Sequence, residues 1–156
     1  MRLGIGSYTY TWSIGVGSQR PEQPMTAMEL LERAHDLGVH VVQIADNLPL
    51  DRMDGRSLDE LVRRAAELEV TIEIGTRGIG REHLIRYVAL AERVGSPILR
   101  VVVDTATEEP SEDEVVRVLR SLANAFESAG VCLAIENHDR FSAATLVRIL
   151  DRVGSE

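Results

Sequence analysis

The sequence predicts an α/β fold of the (β/α)-barrel type, with about five of the eight βα units that a complete barrel contains. Short apolar segments alternate with amphipathic segments along the whole chain, and the segment ends recur about every 30 residues, the length of one βα unit. Four successive apolar segments also carry one large polar residue at the same parity, namely Gln43, Glu73, Arg100 and Glu136. Strands that alternate with helices predict a parallel sheet with right-handed crossovers.

Each strand is predicted from a short apolar run bounded by turn signals. A flavodoxin-like five-stranded open parallel sheet is the alternative, and the length of 156 residues suits it. Its central strands should be apolar at both parities, because helices cover both faces. The polar parity instead favours a barrel-type interior, in which Glu73 and Arg100 are expected to form an ion pair. The predicted strands are residues 2–8, 39–46, 70–75, 98–104 and 131–136.

Each helix is predicted from apolar residues at helical spacing and from signals at its two ends. Three of the helices begin with Ser or Thr followed three residues later by Glu, the pattern of a capping box. Glycines follow the predicted helix ends, where a left-handed residue commonly terminates the helix. The boxes are Thr26 with Glu29, Ser57 with Glu60 and Ser111 with Glu114, and the glycine stops are Gly38, Gly95 and Gly130.

Composition predicts a globular cytoplasmic protein. The net charge of −8 argues against a protein that binds nucleic-acid phosphates, and no apolar run is long enough to cross a membrane. Cys132 is the single cysteine, so the chain is compatible with a reducing compartment, and its place within a strand predicts a buried thiol. We expect one partial barrel domain over residues 1–156, with neither nucleic acid nor membrane as a partner.

The main candidate site residues lie where the last predicted strand ends. Glu136 follows a small-residue face formed by Cys132 and Ala134, and a carboxylate at the carboxyl end of a parallel strand lies where a barrel keeps its chemistry. His138 lies two residues later and is a candidate to contact the substrate or to orient Glu136. An ordinary strand-to-helix turn is the alternative for both residues.

Other candidates for substrate binding follow the earlier strands. Asp46 and Asn47 follow the second strand and Asp104 ends the fourth, although such residues are also common in turns. Arg77 lies in the glycine-rich segment 75–80, a candidate phosphate site that lacks the spacing of a P-loop. Trp12, on the first long loop, is a candidate wall of a sugar pocket.

Four segments of the chain resemble the xylose isomerase-like TIM barrel superfamily, which contains sugar phosphate isomerases and epimerases. They are VVQIADNLPL (41–50), IEIGTRGI (72–79), ILRVVVDT (98–105) and AIENHDRFS (134–142). The resemblance covers the first five βα units of that family and implies that Glu136 is its strand-5 metal ligand. The other usual ligands of the family lie on strands 6 to 8, which are not expected in this chain.

The resemblance implies a metal-dependent isomerase or epimerase that acts on a small sugar or sugar phosphate. Such a reaction removes a proton next to a carbonyl and gives an enediolate, which a divalent cation (Mn²⁺, Mg²⁺, Co²⁺ or Zn²⁺) stabilises. The alternative function is a non-catalytic half-barrel module that binds a ligand or partner. An endonuclease-type member is disfavoured by the acidic charge. Open strand edges also predict a homo-oligomer.

Overall fold

The structure, a computed structural model, describes residues 2–154. Five parallel strands form one sheet in the order β1-β2-β3-β4-β5. A flavodoxin-like sheet reverses its strand order beside the first strand, so the sequential order excludes that alternative and agrees with the barrel type. The strands are β1 (Gly4–Gly6), β2 (Val41–Ile44), β3 (Thr71–Arg77), β4 (Ile98–Val102) and β5 (Cys132–Ile135).

Helices connect the strands, as the alternating pattern predicts. In the part of the chain that the structure describes, no helix combines the length and apolar character that a membrane span requires. The first loop, predicted to be irregular, contains a 3₁₀ turn (Ser7–Tyr10) that leads directly into one helical turn. The helices are α1 (Thr11–Ile14), α2 (Ala27–Asp36), α3 (Gly55–Glu67), α4 (Arg81–Val94), α5 (Glu112–Ala129) and α6 (Ala143–Val153).

The chain divides into two compact units, one of Met1–Ile74 with Val94–Ser96 and one of Gly75–Arg93 with Pro97–Glu156. In the first unit, β2 pairs in parallel with β1 and with the first half of β3. Its core contains apolar side chains that are at most 3% exposed: Leu30, Leu31, Val42, Ile44, Leu61 and Ile72. In the second unit β4 pairs in parallel with β5, and the core includes Leu84, Leu99, Val101, Leu122 and Ile149.

The two parities of the strands differ as predicted. Val42 lies opposite Ile72 and both are buried, whereas Gln43 lies opposite Glu73 and both are half-buried. The Nε2 atom of Gln43 donates a hydrogen bond to the Glu73 carboxylate over 3.3 Å. One parity therefore packs in the core, and the other holds polar side chains that contact one another.

Two of the three predicted capping boxes are confirmed, and the third is wrong. Thr26 and Ser111 cap α2 and α5 with reciprocal bonds to Glu29 and Glu114. The N-cap of α3 is Asp54, whose carboxylate accepts hydrogen bonds from two backbone N–H groups of the first turn. The predicted cap, Ser57, lies within that turn and donates its hydroxyl to Asp54.

Two further expectations about β3 and β5 need correction. Cys132 was predicted to be buried within a strand, but it is the first residue of β5 and is exposed. Among the strands of residues 2–154, β5 pairs with β4. Strand β3 extends to Arg77, so half of the glycine-rich segment 75–80 is strand rather than loop.

A pH dependence is expected from the contact between α5 and α6. Hydrogen bonds from Arg148, and then Arg152, hold the pKa of the Glu112 carboxyl below its ordinary value of 4.5. Because the pKa of Glu112 is lower in the folded protein than in the unfolded chain, this contact stabilises the protein fully at pH values above 4.5. The stabilisation is lost as the pH falls through the pKa of the folded protein.

We expect Glu112→Gln to lower the midpoint temperature of thermal unfolding near neutral pH. Between about pH 5 and about pH 3, this midpoint should then decrease less in the variant than in the wild type. Thermal unfolding followed by circular dichroism measures both effects. Glu92→Gln, an exposed change on α4 with the same loss of charge, is the control. Parallel acid profiles for the Glu112 variant and the wild type would contradict the expectation.

Candidate active site

The carboxylate of Glu136 forms an ion pair with Arg100 at the carboxyl end of β5. Glu136 follows the last residue of β5, and its backbone N–H donates to the carbonyl of Val101 over 2.9 Å. Arg100 lies on β4 opposite Ala134 of β5. Ala134 precedes Glu136 by two residues, so the two side chains lie on the same face of the strand. Because Ala134 is small, the Arg100 guanidinium can extend along this face to Glu136.

Arg100 was predicted to pair with Glu73, and the structure shows an ion pair of Arg100 with Glu136. Glu73 accepts a hydrogen bond from Gln43, and its pairing with Arg100 stays a prediction. The Arg100 side chain is 15% exposed and that of Glu136 is 33% exposed, so the pair is partly shielded from water. Glu136, the main candidate site residue, therefore has a cation beside its carboxylate.

Gly75 provides the space that the Arg100 guanidinium occupies. A Cβ atom at this position would lie 2.9 Å from both Nε and Nη2 of Arg100. Any side chain at position 75 would therefore displace the guanidinium from its present position.

Asp104 and Arg77, both predicted to bind substrate, contact each other. The Arg77 Nη1 atom lies 3.6 Å from the Asp104 carboxylate and donates to the Asp104 carbonyl over 3.3 Å. The Oδ1 atom of Asp104 is buried and has no hydrogen-bond partner among residues 2–154. The charge of Arg77 is thus opposed by a neighbouring carboxylate, which makes it a weaker candidate for phosphate binding.

His138 lies in the loop after β5 and is partly exposed. Its backbone N–H donates to the carbonyl of Glu136 over 2.8 Å, and its Nδ1 atom lies 3.7 Å from the Asp139 carboxylate. Arg140, which the sequence did not single out, anchors the same loop. Its two terminal nitrogens donate to the Glu109 carboxylate and to the carbonyls of Glu109 and Pro110, each over 2.9 Å.

Asp46 and Asn47 lie in the first compact unit, where Ser7 and Tyr8 contact them. The Ser7 hydroxyl is fully buried, donates to Asn47 Oδ1 over 2.5 Å and accepts from the backbone N–H of Ala45 over 3.0 Å. The Tyr8 hydroxyl donates to Asp46 over 3.1 Å. Ser7 was missed because its partners lie about 40 residues away in the chain.

Ser7→Ala is expected to lower the free energy of unfolding by about 1–3 kcal/mol, because it leaves the buried N–H of Ala45 without an acceptor. It should also free the Asn47 amide to rotate. Urea unfolding measures the first effect. Ser121→Ala, at an exposed helix serine, is the control and should change stability little.

Trp12 lies in α1 and is 72% exposed, the largest exposure among the large apolar side chains described. An exposed indole is available to contact a ligand, so its predicted role stays a prediction.

The structure thus brings together Asp46 with Asn47 in one unit and Arg77 with Asp104 in the other.

The described residues do not by themselves form a metal centre. Among residues 2–154, no group of three His, Cys, Asp or Glu side chains converges in a way that could hold an ion. The expected ligand, Glu136, offers one carboxylate that already pairs with Arg100. Since a zinc site takes three or four protein ligands, Glu136 alone does not form such a site.

The sheet order and the acidic and basic side chains at the carboxyl ends of its strands define a protein of the (β/α)-barrel class. The chain belongs to the xylose isomerase-like TIM barrel family, whose sequence model matches residues 31–156. This agrees with the resemblance inferred from the four sequence segments.

A curated relative and several solved structures support the same fold. The chain is 28% identical over 155 residues to 3-oxo-isoapionate decarboxylase of Pectobacterium atrosepticum, and the match covers 99% of this chain and 55% of that protein. D-psicose 3-epimerase of Clostridium cellulolyticum H10, solved with D-tagatose, superposes with a TM-score of 0.77 at 16% identity, covering 98% of this chain and 60% of that one. The chain therefore spans little more than half the length of these relatives.

A third similar structure contains a metal ion. The IolI protein, solved with a zinc atom, superposes with a TM-score of 0.68 at 18% identity, over 99% of this chain and 59% of that one. At this identity the likeness describes the fold, and the zinc belongs to the IolI protein.

Proposed function

We propose that this chain contributes to a sugar-modifying enzyme whose reaction passes through an enediolate next to a carbonyl group. The observation that carries the proposal is the Glu136 carboxylate at the carboxyl end of β5, with the Arg100 guanidinium beside it. The family match and its sugar-epimerase neighbours support the substrate class.

The proposed roles follow from charge. Glu136 accepts the proton from the carbon next to the substrate carbonyl, and the electrons of the broken C–H bond move onto the carbonyl oxygen. The positive charge of Arg100 lies beside the reaction centre and stabilises the negative charge that develops there. Protonation of the same carbon from the opposite face completes an epimerisation. Protonation of the neighbouring carbon, with transfer of the hydroxyl proton of that carbon to the former carbonyl oxygen, completes an isomerisation.

Decarboxylation of a 3-oxo sugar acid is a second candidate reaction, favoured by the 28% identity to 3-oxo-isoapionate decarboxylase. In that reaction the C–C bond to the carboxylate breaks and CO₂ leaves. The electron pair of the broken bond moves onto the carbonyl oxygen. A proton then replaces CO₂ on the carbon. Both reactions share the enediolate-type intermediate and need the same stabilising charge.

The remaining candidates take supporting roles in the proposal. His138 and Asp104 stay proposed substrate contacts of the second unit. Asp46, Asn47 and Trp12 stay proposed substrate contacts of the first unit, considered by itself. We also propose a cytoplasmic location, which the composition predicted. Arg77 is retained as a substrate contact whose charge Asp104 moderates.

Metal binding at Glu136 stays a prediction. We expect Glu136→Gln to remove any Mn²⁺ affinity of the native protein that carries this sequence, because it removes the one carboxylate donor at the end of β5. Calorimetric titration measures this, and unchanged Mn²⁺ affinity in the variant would exclude Glu136 as a ligand.

The proposed function is tested with a panel of substrates. The native protein is incubated with D-ribulose, D-tagatose and a 3-oxo sugar acid, and the products are followed by ¹³C NMR. An epimer or isomer of a ketose supports the proposal, as does release of CO₂ from the 3-oxo acid. Binding of these compounds without any turnover would favour the non-catalytic module instead.

We also propose that the chain forms a homodimer through β5 and α6. A cavity of about 370 Å³ beside β5 is lined mainly by apolar side chains such as Phe126 and Leu133. Leu150, at this cavity, is 52% exposed. A second copy would cover these apolar groups.

Sedimentation velocity tests this assembly, and Leu150→Glu should shift a dimer of the 156-residue chain toward monomer. A wild-type chain that stays monomeric at micromolar concentration would contradict the proposal. Val147→Glu, one turn earlier on α6 and 56% exposed, is outside the cavity and serves as the control.

A further inference from the structure

A second cavity lies in the first compact unit, between the loop after α1 and the loop after β2. Its volume is about 310 Å³, which is within the range of small-molecule sites. The side chains of Arg20 and Arg52 line it, together with Asp46 and Asn47. Two of the predicted substrate contacts therefore share a cavity with two arginines that the proposed reaction does not use.

Arg20 is held at this cavity by a tight turn. Val16 and Gln19 exchange two backbone hydrogen bonds of 2.8 Å each, which close the turn directly before Arg20. Gly15 has a φ of 121°, and a Cβ atom there would lie 3.0 Å from the Cγ atom of Arg20. The stem of Arg20 thus packs closely on Gly15, which restricts where its guanidinium can lie.

Arg52 is positioned from the other side of the cavity. It ends the 3₁₀ turn Leu50–Arg52, which begins with the buried side chain of Leu50. Neither Arg52 nor Arg20 has a side-chain hydrogen bond or an ion pair with any residue between 2 and 154, whereas other arginines of this acidic chain do, such as Arg64 with Glu32 and Arg148 with Glu112. Two guanidinium groups that have no ion pair in the described part of the chain thus line the cavity, together with one carboxylate, that of Asp46.

Asn47 adds an oriented donor to these two charges. Its Oδ1 atom accepts the hydroxyl of Ser7, which fixes the amide so that Nδ2 is the remaining polar atom. Nδ2 is buried and has no acceptor in the described part of the chain. A buried donor without an acceptor costs about 1–3 kcal/mol, so an incoming acceptor atom would be favoured here. The nearby Asp46 carboxylate is engaged by the Tyr8 hydroxyl.

We propose that this cavity binds a small organic anion by its carboxylate or phosphate group, through Arg20, Arg52 and Asn47. Guanidinium groups match the planar and tetrahedral oxygens of such anions, and Asn47 supplies one further hydrogen bond. The inference rests on the proposed function for the expectation that this anion is a sugar acid or a sugar phosphate rather than a neutral ketose.

Binding of defined probes to the 156-residue chain tests the inference without any need for turnover. D-gluconate and D-ribulose 5-phosphate are titrated separately and followed by amide NMR shifts, with D-fructose as the neutral comparison. We expect one or both anions to shift the amides of residues 15–20 and 47–52, with an affinity at least about tenfold above that of D-fructose. Binding of gluconate alone identifies a carboxylate site, and binding of the phosphate alone identifies a phosphate site.

Variants with matched charge separate this site from general electrostatics. Arg20→Gln with Arg52→Gln should weaken anion binding at least about tenfold, whereas Arg86→Gln with Arg120→Gln, two exposed helix positions in the other unit, should change it little. Asn47→Asp should weaken binding more than the exposed control Asn124→Asp. Equal losses in the two arginine pairs, absence of anion binding, or equal binding of D-fructose would each overturn the inference. Loss of catalysis with intact anion binding would instead reject the proposed reaction.

Discussion

Glu136→Gln is expected to reduce the rate of the catalysed reaction by about 100-fold or more, because it removes the group proposed to take the proton. The amide has nearly the same shape and still accepts a hydrogen bond from Arg100, so folding should be retained. A general base contributes about 10²–10⁴-fold to rate, which makes this the largest functional effect expected from any single change. The rate is measured with whichever substrate of the panel turns over.

Two comparisons make this result specific to Glu136. Glu92→Gln removes an equal charge from the exposed face of α4 and should leave the rate unchanged. Glu136→Asp keeps the carboxylate but withdraws it by one methylene, and should retain part of the activity. A Glu136→Gln variant with wild-type turnover would exclude this residue as the base.

Arg100→Met is expected to lower the free energy of unfolding by about 2 kcal/mol. The change leaves the Glu136 carboxylate, with two thirds of its surface covered, without the cation that neutralises it. Removing one partner of a fully buried pair costs about 3–5 kcal/mol, and the remaining exposure of Glu136 reduces that value. Urea unfolding measures the loss, and Arg120→Met, on an exposed face of α5, is the matched control.

A double-mutant cycle identifies the partner of Arg100. The effects of Arg100→Met and Glu136→Gln should be non-additive, because each change removes the same contact. The corresponding cycle with Glu73→Gln should be additive if Glu136 is the principal partner. Gly75→Ala provides an independent check, because the added Cβ would displace the Arg100 guanidinium. The change should therefore lower the free energy of unfolding more in the wild type than in the Arg100→Met variant, which lacks that guanidinium.

The features that the sequence predicted correctly are those encoded by neighbouring residues. Alternation within a strand has a period of two, so the buried face of Val42 and Ile44 follows from local sequence. The capping boxes at Thr26 and Ser111 were equally local, since each joins residues three apart. At α3 two acceptors compete, and Asp54 caps the helix because its carboxylate reaches two N–H groups at once.

The contacts within the site were less predictable because they join residues far apart in the chain. The pairing of Arg100 with Glu136 depends on the register of β4 against β5, which places the small Ala134 opposite Arg100. The anchoring of Asn47 by Ser7 depends similarly on the turn after β1. Exposure of Cys132 depends on which elements pack against β5, which its own segment does not specify.

Solvent deuterium incorporation tests the central proposal most directly, because epimerisation and decarboxylation both protonate the carbon next to the carbonyl. The native protein is incubated in D₂O with a ketose and, separately, with a 3-oxo sugar acid, and the products are analysed by ¹H NMR and mass spectrometry. We expect deuterium at the carbon next to the carbonyl, at a rate that falls about 100-fold or more in Glu136→Gln. Products free of deuterium, or incorporation that Glu136→Gln leaves unchanged, would contradict a Glu136-dependent enediolate mechanism.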